Sequence, residues 1–165
     1  MTQPKPVARV VVASTRASRG LYIDKSGPII AEWLTTRGFV VDEVDVVADG
    51  DPVGEAIRAG IYASDSLVIT TGGTGLSPTD RTPEQTRALL DVEIPGLADA
   101  IRGAGLPDVP TAVLSRGTAG VAAGTLVINL PGSTGGVRDG LGVLDGVLAH
   151  ALDQISGGDH QRSDG

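Results

Sequence analysis

The sequence predicts an α/β fold with three layers: a doubly wound, mostly parallel sheet with helices on both faces. Short apolar runs typical of buried strands alternate with segments of helical periodicity. Polar, glycine-rich loops follow the strands, as expected where the carboxyl ends of parallel strands meet. The 165 residues suffice for one core, so we expect a single domain at 8–156 with flexible tails at 1–7 and 157–165.

Five apolar runs predict the strands of this sheet. Each is short, contains mainly aliphatic residues, and is bounded by polar residues or glycine. In chain order the predicted strands lie at 9–14, 39–47, 66–70, 111–114 and 126–130, with a turn at 117–120 between the last two.

The helices are indicated by their caps and by apolar spacing. We expect Ser26 to cap the first helix and Gly38 to end it. Thr82 is expected to cap a later helix, with Pro83 in its first position and Gln85 completing a capping box. The predicted helices lie at 26–38, 52–63, from 82 onward, at 95–102 and at 136–155, the last with an apolar residue every three or four positions.

The composition restricts the classes of function. The chain has no cysteine, which excludes disulfides and thiolate metal sites. A net charge of −7 without a basic stripe argues against nucleic-acid binding. No apolar run approaches the length of a membrane span, so we expect a soluble, cytoplasmic protein that contacts no membrane. The only lysines are Lys5 and Lys25, so phosphate chemistry must depend on arginine, main chain or metal.

The stretch Thr70–Glu84 carries the strongest functional signal. It leads from an apolar strand through a Gly-Gly-Thr-Gly loop and past Asp80 to a helix start. Glycine lets main-chain N–H groups approach a phosphate closely. The loop lacks the lysine of a Walker loop and the spacing of a Rossmann fingerprint. Taken alone, it is either a tight turn or an anion site, and Asp80 is either a turn residue, a partner of Arg81, or a functional carboxylate.

Other loops are expected at the same edge of the sheet. Ser14 follows the first strand, Asp49 follows the second, and Pro131–Ser133 lead from the last strand into the final helix. Taken alone, Asp49 is typical of a turn and Pro131–Ser133 of a helix start. Ser115 and Arg116 are compatible with a solvated strand end. The combination of these loops is more informative than any one of them.

Six segments occur in an order that one protein family shares. They are Asp24-x-x-Gly27, Thr71–Gly75, Asp80-x-Thr82-Pro83-Glu84, Ile94-Pro95-Gly96, Leu114-Ser115-Arg116 and Asn129–Ser133. This order resembles the Mog/MoaB-type molybdopterin adenylyltransferases, from Val10 to about Ile155 and in the stand-alone form. The resemblance implies transfer of AMP from ATP to the terminal phosphate of molybdopterin, with Mg²⁺ as cofactor. It also implies a homotrimer and a downstream metal-insertion enzyme as a partner.

The resemblance also implies roles for individual residues. Asp49 and Asp80 match acidic residues linked to catalysis and to positioning Mg²⁺ and the nucleotide. Carboxylate oxygens are ligands that Mg²⁺ prefers. Arg116 or Arg16 is expected to add charge-assisted hydrogen bonds to phosphate. The expected substrate-binding residues are Ser14, Gly72, Gly73, Thr74, Gly75, Thr82, Ser115, Arg116, Pro131, Gly132 and Ser133.

Two positions depart from the family pattern, and two alternatives stay open. Thr15 stands where many relatives carry an acidic residue, and Thr134 stands where a proline continuation is commoner. One alternative is a molybdopterin-binding or assembly paralogue without turnover, against which the presence of both Asp49 and Asp80 argues. The other is the related domain of pyridine-nucleotide-processing proteins, whose loop usually lacks the Thr-Pro-Glu segment that starts at Thr82.

Overall fold

The computed structural model describes residues 2–158, and in this part of the chain seven strands form one sheet between two layers of helices. The predicted α/β class is confirmed. The strands are β1 (Val7–Ala13), β2 (Val40–Val41), β3 (Asp45–Val47), β4 (Leu67–Thr71), β5 (Val92–Glu93), β6 (Ala119–Ala122) and β7 (Thr125–Leu130). The helices are α1 (Thr15–Ser18), α2 (Ser26–Thr36), α3 (Asp51–Tyr62), α4 (Thr82–Arg87), α5 (Pro95–Ala104), α6 (Thr134–Asp145) and α7 (Leu148–Ile155), with a 3₁₀ helix at Pro110–Leu114.

The strand order is β2-β1-β4-β7-β6-β5, and β3 pairs with the second half of β1. The pairs β1–β2, β1–β3, β1–β4 and β4–β7 are parallel, whereas β6 is antiparallel to both β5 and β7. Val10 of β1 pairs with Ile69 of β4, which pairs with Ile128 of β7. Because β1, β3, β4 and β7 run in the same direction, the loops after them leave one edge of the sheet.

The three central strands bury alternate residues on opposite faces of the sheet. Val10, Ile69 and Ile128 belong to the larger core cluster, which includes residues of α2, α5, α6 and α7. Val11, Val68 and Val127 belong to the smaller cluster, with Val53 and Ile57 of α3. All of these side chains are fully buried. This covering of both faces explains why the central strands appear in the sequence as continuous apolar runs.

The predicted strand at 39–47 is two short strands. β2 and β3 both pair with β1, but residues 42–44 between them form no strand. Asp42 and Glu43 are exposed, so the strand is interrupted where its polar side chains face solvent.

The predictions at 111–114 and 117–120 are wrong. The first segment is part of the 3₁₀ helix, where the side chains of Val113 and Leu114 are 57% and 49% exposed. Pro110 starts this segment without an N–H group that could donate to a ladder. The predicted turn instead contains the start of β6, which pairs with both β5 and β7. The glycine and alanine residues of β6 have low strand propensity, so the sequence pattern did not indicate a strand there.

The predicted final helix at 136–155 is two helices, α6 and α7, separated at Gly146 and Val147. The tails also differ in part from the expectation. Val7 is the first residue of β1, and the Gly157 N–H donates to the Gln154 carbonyl at 3.0 Å. Residues 1 and 159–165 of the predicted tails lie outside the described residues. No helix within residues 2–158 has the length and apolar content needed to cross a membrane.

Candidate active site

The loops after β1, β4 and β7 meet at one edge of the sheet. The Thr71 hydroxyl donates to the Pro131 carbonyl at 2.6 Å, and the Gly72 N–H donates to the Leu130 carbonyl at 3.2 Å. The Ser26 hydroxyl, which was expected to cap α2, donates instead to the Gly132 carbonyl at 3.0 Å. Asp24 takes the capping role, because its carboxylate accepts from the Ser26 and Gly27 N–H groups at 3.1 Å.

Two glycines allow the three loops to touch. Gly72 has a φ of 90°, in the left-handed region, and a Cβ there would lie 2.5 Å from the Ala13 carbonyl oxygen. A Cβ on Gly132 would lie 3.3 Å from the Gly72 Cα. The backbones are therefore in direct contact, which a side chain at position 72 would prevent.

Two clefts lie on either side of this contact. The main cleft has a volume of about 670 Å³, and the second cleft about 430 Å³. Both are lined by Gly72, Gly132 and Ser133, which form their common wall. The far side of the main cleft is largely apolar, with Ile101, Val109, Ala112 and Leu114, whereas Tyr22, Asp24, Lys25 and Ser26 line the second cleft.

The structure brings most of the predicted site residues to these clefts. Those lining the main cleft are Gly72, Gly73, Thr74, Gly75, Asp80, Ser115, Pro131, Gly132 and Ser133. Ser14 lines the second cleft and also caps α1 by accepting from the Ala17 N–H at 3.2 Å. Asp49, Thr82 and Arg116 lie outside the linings of both clefts.

Asp80 is placed at the main cleft by a turn of its own loop. Its Oδ2 accepts from the Ser77 N–H at 3.1 Å, and the Asp80 N–H donates to the Ser77 carbonyl at 2.9 Å. A Cβ on Gly75 would lie 2.8 Å from this Oδ2, so the glycine leaves room for the carboxylate. Within the described residues, no group donates a hydrogen bond to Asp80 Oδ1, which leaves that oxygen available to a ligand.

Asp49 lies behind the glycine loop and is held by Thr15. Its Oδ2 accepts from the Thr15 N–H at 3.1 Å and from the Thr15 hydroxyl at 2.9 Å. The Asp49 N–H donates to the same hydroxyl at 3.1 Å. Thr15, one of the departures from the family pattern, therefore orients Asp49. The other oxygen, Oδ1, lies 3.0 Å from where a Cβ on Gly73 would be.

Thr82 lies near the same glycine but does not cap α4 as predicted. Arg81 is the cap residue, and the Thr82 N–H donates to the Gly73 carbonyl at 3.1 Å. The Thr82 hydroxyl oxygen is buried, and no described residue forms a hydrogen bond with it. Gln85 does not complete a capping box either, because its amide donates to Asp51 at 3.0 Å.

The carboxylates beside the glycine loop are ligand types that Mg²⁺ prefers, but they do not form a complete metal site among the described residues. Within residues 2–158, no group of three or more histidine, cysteine, aspartate or glutamate side chains is arranged to hold a metal. Mg²⁺ in phosphate sites commonly takes one or two carboxylates and fills its shell with water and substrate phosphates. Asp80 and Asp49, each with one oxygen that accepts no hydrogen bond from the described residues, match that pattern.

The two arginines expected to contact phosphate lie elsewhere. The Arg116 guanidinium donates to the Gly75 and Asp80 carbonyls, both at 2.8 Å, and to the Glu84 carboxylate. These bonds use three of the five N–H donors of the guanidinium and direct it to the base of the glycine loop, outside the linings of both clefts. Arg16 is exposed and lies 6.0 Å from the ring centroid of Tyr22.

Two basic residues that line the clefts were not among the predicted site residues, and the presence of Lys25 does not support the expectation that phosphate chemistry would depend on arginine, main chain or metal without lysine. Among the described residues, Arg102 is the only basic residue that lines the main cleft, and Lys25 is the only one that lines the second cleft. Arg102 donates to the Gly117 carbonyl at 2.7 Å and to Asp99 at 2.6 Å. The predicted strand at 111–114 hid this wall, because it placed in the sheet a segment that packs beside α5, where a Cβ on Gly105 would lie 2.8 Å from the Ala112 Cβ. The basic residue in the last turn of α5 was the available signal.

The residues around these clefts match a known family. Residues 9–150 match the family described as probable molybdopterin binding domain. The chain belongs to this family. The resemblance to Mog/MoaB-type proteins is thereby confirmed, and a role of the chain in molybdenum cofactor biosynthesis is supported.

Relatives of this molybdopterin-binding domain include proteins with assigned activities. The molybdopterin adenylyltransferase of Helicobacter pylori J99 is 37% identical over 155 residues, covering 90% of this chain and 86% of that protein. The molybdenum cofactor biosynthesis bifunctional protein of Synechococcus elongatus is 38% identical over 154 residues, covering 93% of this chain but 48% of that protein. This chain therefore spans about half the length of that relative.

A solved structure of a relative supports the same family membership. The molybdopterin biosynthesis Mog protein from Mycobacterium ulcerans is 62% identical, with a TM-score of 0.90, covering 94% of this chain and 99% of that one. In the molybdopterin-binding domain described here, Gly72, Gly132 and Ser133 line both clefts.

Proposed function

We propose that this molybdopterin-binding domain is an adenylyltransferase that moves AMP from Mg-ATP to the terminal phosphate of molybdopterin. The observation that carries the proposal is the pair of clefts joined at a glycine wall, with Asp80 and Asp49 both beside the glycine loop. Two separate clefts suit a reaction with two sizeable reactants. The similarity to a relative named as molybdopterin adenylyltransferase supports the same activity.

The proposed reaction is a substitution at the α-phosphorus of ATP. An oxygen of the terminal phosphate of molybdopterin forms a bond to this phosphorus. The bond between the α-phosphorus and the oxygen bridging to the β-phosphate breaks, and pyrophosphate leaves with the electron pair. Both reactants are anionic, so the site must offset their repulsion and hold the attacking and leaving oxygens in line.

The chain offers main-chain donors for these phosphates. Ser133 caps α6 by accepting from the Gly136 N–H at 3.1 Å. The first-turn N–H groups of Thr134 and Gly135 have no partner within their helix, and these residues line the second and the main cleft respectively. N–H groups at a helix start favour anions through hydrogen bonds and partial positive charge.

Side chains supply the remaining charge complementarity. Arg102 brings a guanidinium to the main cleft, and Lys25 brings an ammonium group to the second. We propose that Asp80 and Asp49 would hold Mg²⁺ when ATP is bound, and the ion would then shield the phosphate charge. Asp80 would orient the phosphates from the main cleft, and Asp49 would act from behind Gly73.

The test is AMP transfer by the purified protein. The full chain is incubated with molybdopterin, ATP and Mg²⁺, and adenylylated molybdopterin and pyrophosphate are measured by chromatography and mass spectrometry. We expect both products in equal amounts and only in the presence of a divalent cation. Molybdopterin binding without either product would support the binding paralogue and contradict the enzyme.

The assembly and location expected from the sequence are also proposals. A homotrimer of the 16.7 kDa chain would show three times that mass in light scattering. A monomeric mass under assay conditions would contradict it. A cytoplasmic location, with transfer of the product to a metal-insertion enzyme, fits a step in cofactor assembly.

A further inference from the structure

The loop that carries Asp80 is attached to the protein by hydrogen bonds rather than by packing. Residues 76–79 are exposed, and the one large apolar side chain among them, Leu76, is 66% exposed. No side chain of this described segment belongs to either core cluster. Polar contacts must therefore set the position of this loop, because few apolar contacts hold it.

One side chain makes the contacts at both ends of this loop. The Arg116 Nε donates to the Gly75 carbonyl at 2.8 Å, where the loop begins. Its Nη2 donates to the Asp80 carbonyl at 2.8 Å, where the loop ends. The Arg116 main-chain N–H adds a bond to the Thr74 carbonyl at 2.8 Å. A single planar guanidinium thus spans the base of the loop.

Glu84 holds that guanidinium in place. Its Oε1 accepts from Arg116 Nη1, and the two side chains form an ion pair at the start of α4. Burial raises the pKa of the Glu84 carboxyl, but the hydrogen bond and charge of Arg116 outweigh this and hold the pKa below its ordinary value. The carboxylate therefore stays ionised near neutral pH and keeps the donor fork of Arg116 oriented.

We propose that Arg116 is a positioning residue that fixes the loop at 75–80 and so places the Asp80 carboxylate at the main cleft. The importance of placing the Asp80 carboxylate rests on the proposed function of this residue. Arginine suits the task because its planar fork donates in three directions at once, whereas a lysine ammonium is a single point of donation. In this role Arg116 acts through Asp80.

Hydrogen exchange tests the loop without requiring turnover. In Arg116→Gln, we expect peptides covering 75–82 to exchange at least about tenfold faster, because hydrogen bonds from a charged donor are lost. These peptides contain the Asp80 and Thr82 N–H groups, which are bonded to the Ser77 and Gly73 carbonyls. Arg87→Gln is the matched control, since Arg87 forms an exposed ion pair with Glu93 and should leave this exchange unchanged.

Arg116→Lys keeps the charge and serves as the second variant if Arg116→Gln does not fold. We expect it to exchange nearly as fast as Arg116→Gln, because one nitrogen cannot reach both ends of the loop. Exchange at 75–82 that equals the wild-type rate in a folded Arg116 variant would overturn the proposal. Because this measurement involves no reaction, it decides the role of Arg116 in the loop even if adenylyl transfer is not found.

A double-variant comparison tests the connection to Asp80. Arg116→Gln should lower kcat by about 10²-fold through misplacement of the carboxylate, with KM for both substrates within about threefold of wild type. Added to Asp80→Asn, the same change should lower kcat by no more than about twofold further, since the group it positions is already absent. If the kcat losses of the two single variants multiply fully in the double variant, Arg116 acts independently of Asp80, and its proposed role in positioning Asp80 is overturned.

Discussion

The two ends of the sheet use charged residues in opposite ways. At the amino end, Arg9 of β1 donates to Asp65 at 2.9 Å and to Asp45 at 3.3 Å, and Asp65 is 5% exposed. The cavity at this end has a volume of about 20 Å³. At the carboxyl end of the same strands lie the two large clefts, with Asp80 in the lining of the larger one.

The difference distinguishes stabilising charges from charges available to a ligand. Burial lowers the pKa of Arg9, but its hydrogen bond to Asp65 and the charges of Asp65 and Asp45 outweigh this and raise it above the ordinary value. The arginine and the buried aspartate satisfy one another, with no space for a ligand. Asp80 and Asp49 instead use one carboxylate oxygen each within the described structure, which leaves the other oxygen for metal or phosphate.

The largest expected effect is that of Asp80→Asn. We predict that kcat for adenylyl transfer falls by about 10²- to 10³-fold, because the carboxylate is needed at the phosphates. The melting temperature should change by less than about 2 °C, since an asparagine oxygen can still accept the hydrogen bond that the Ser77 N–H donates to Asp80. Asp42→Asn, an exposed residue near the amino end, is the control and should leave both quantities unchanged. Turnover near wild type in Asp80→Asn would remove Asp80 from the mechanism.

Gly72→Ala and Gly124→Ala compare two glycines of similar backbone conformation at the two ends. Gly72 has a φ of 90° and Gly124 a φ of 83°, but only position 72 has a neighbour where a Cβ would be placed. We predict that Gly124→Ala lowers stability by about 1 kcal/mol without loss of activity. Gly72→Ala should lower stability too, and in addition it should lower kcat by about 10²-fold, because the clash with Ala13 displaces the common wall. Equal kinetics in the two variants would contradict a role for the wall.

Asp65→Asn should affect stability alone. Removing this charge leaves Arg9 without its buried partner, and we expect a loss of about 2 kcal/mol in the free energy of unfolding measured in urea. Asp45→Asn is the matched control, because Asp45 pairs with the same arginine but is 36% exposed, and its loss should be below about 1 kcal/mol. A lowered kcat in folded Asp65→Asn would show that the amino end contributes to the reaction.

The smallest effect concerns the pH dependence given by Glu84. Its pKa is lower in the folded chain than in the unfolded one, so its ion pair stabilises the fold above the unfolded pKa of about 4.3. This contribution is lost as pH falls through the folded value. The Glu84 side chain is 40% exposed, so we expect less than about 1 kcal/mol. Melting curves of wild type and Glu84→Gln should differ at pH 7 and converge at low pH; a constant difference would contradict the assigned ion pair.

The sequence predicted the central sheet and the glycine loop more reliably than the walls of the clefts. Strands β1, β4 and β7 are buried on both faces, which makes their apolar runs unambiguous. The segment Thr111–Leu114 is equally apolar, yet it lines a cleft, so hydrophobicity alone could not separate a strand from a binding surface. The opposite error occurred in β6, where small residues fit a crowded sheet position near Val92.

The site residues show a similar division. The glycine loop and Pro131–Ser133 could be placed because both follow buried strands. Arg116 was predicted as a substrate-binding residue because a motif gives the residue type but not the direction of its side chain, and in the structure its guanidinium bonds the glycine loop. Arg102 was missed because its contact with the cleft depends on how α5 packs on the sheet, which is a tertiary property.

Isotopic labelling of ATP tests both the transfer of AMP and the role of Asp80 in it. Wild type and Asp80→Asn are incubated with molybdopterin, Mg²⁺ and ATP labelled at either the α- or the γ-phosphorus. We predict that wild type transfers only the α label to the pterin product and releases the γ label as pyrophosphate, and that Asp80→Asn binds molybdopterin but transfers little label. Transfer of the γ label, or molybdopterin binding by wild type with no transfer of either label, would contradict this prediction.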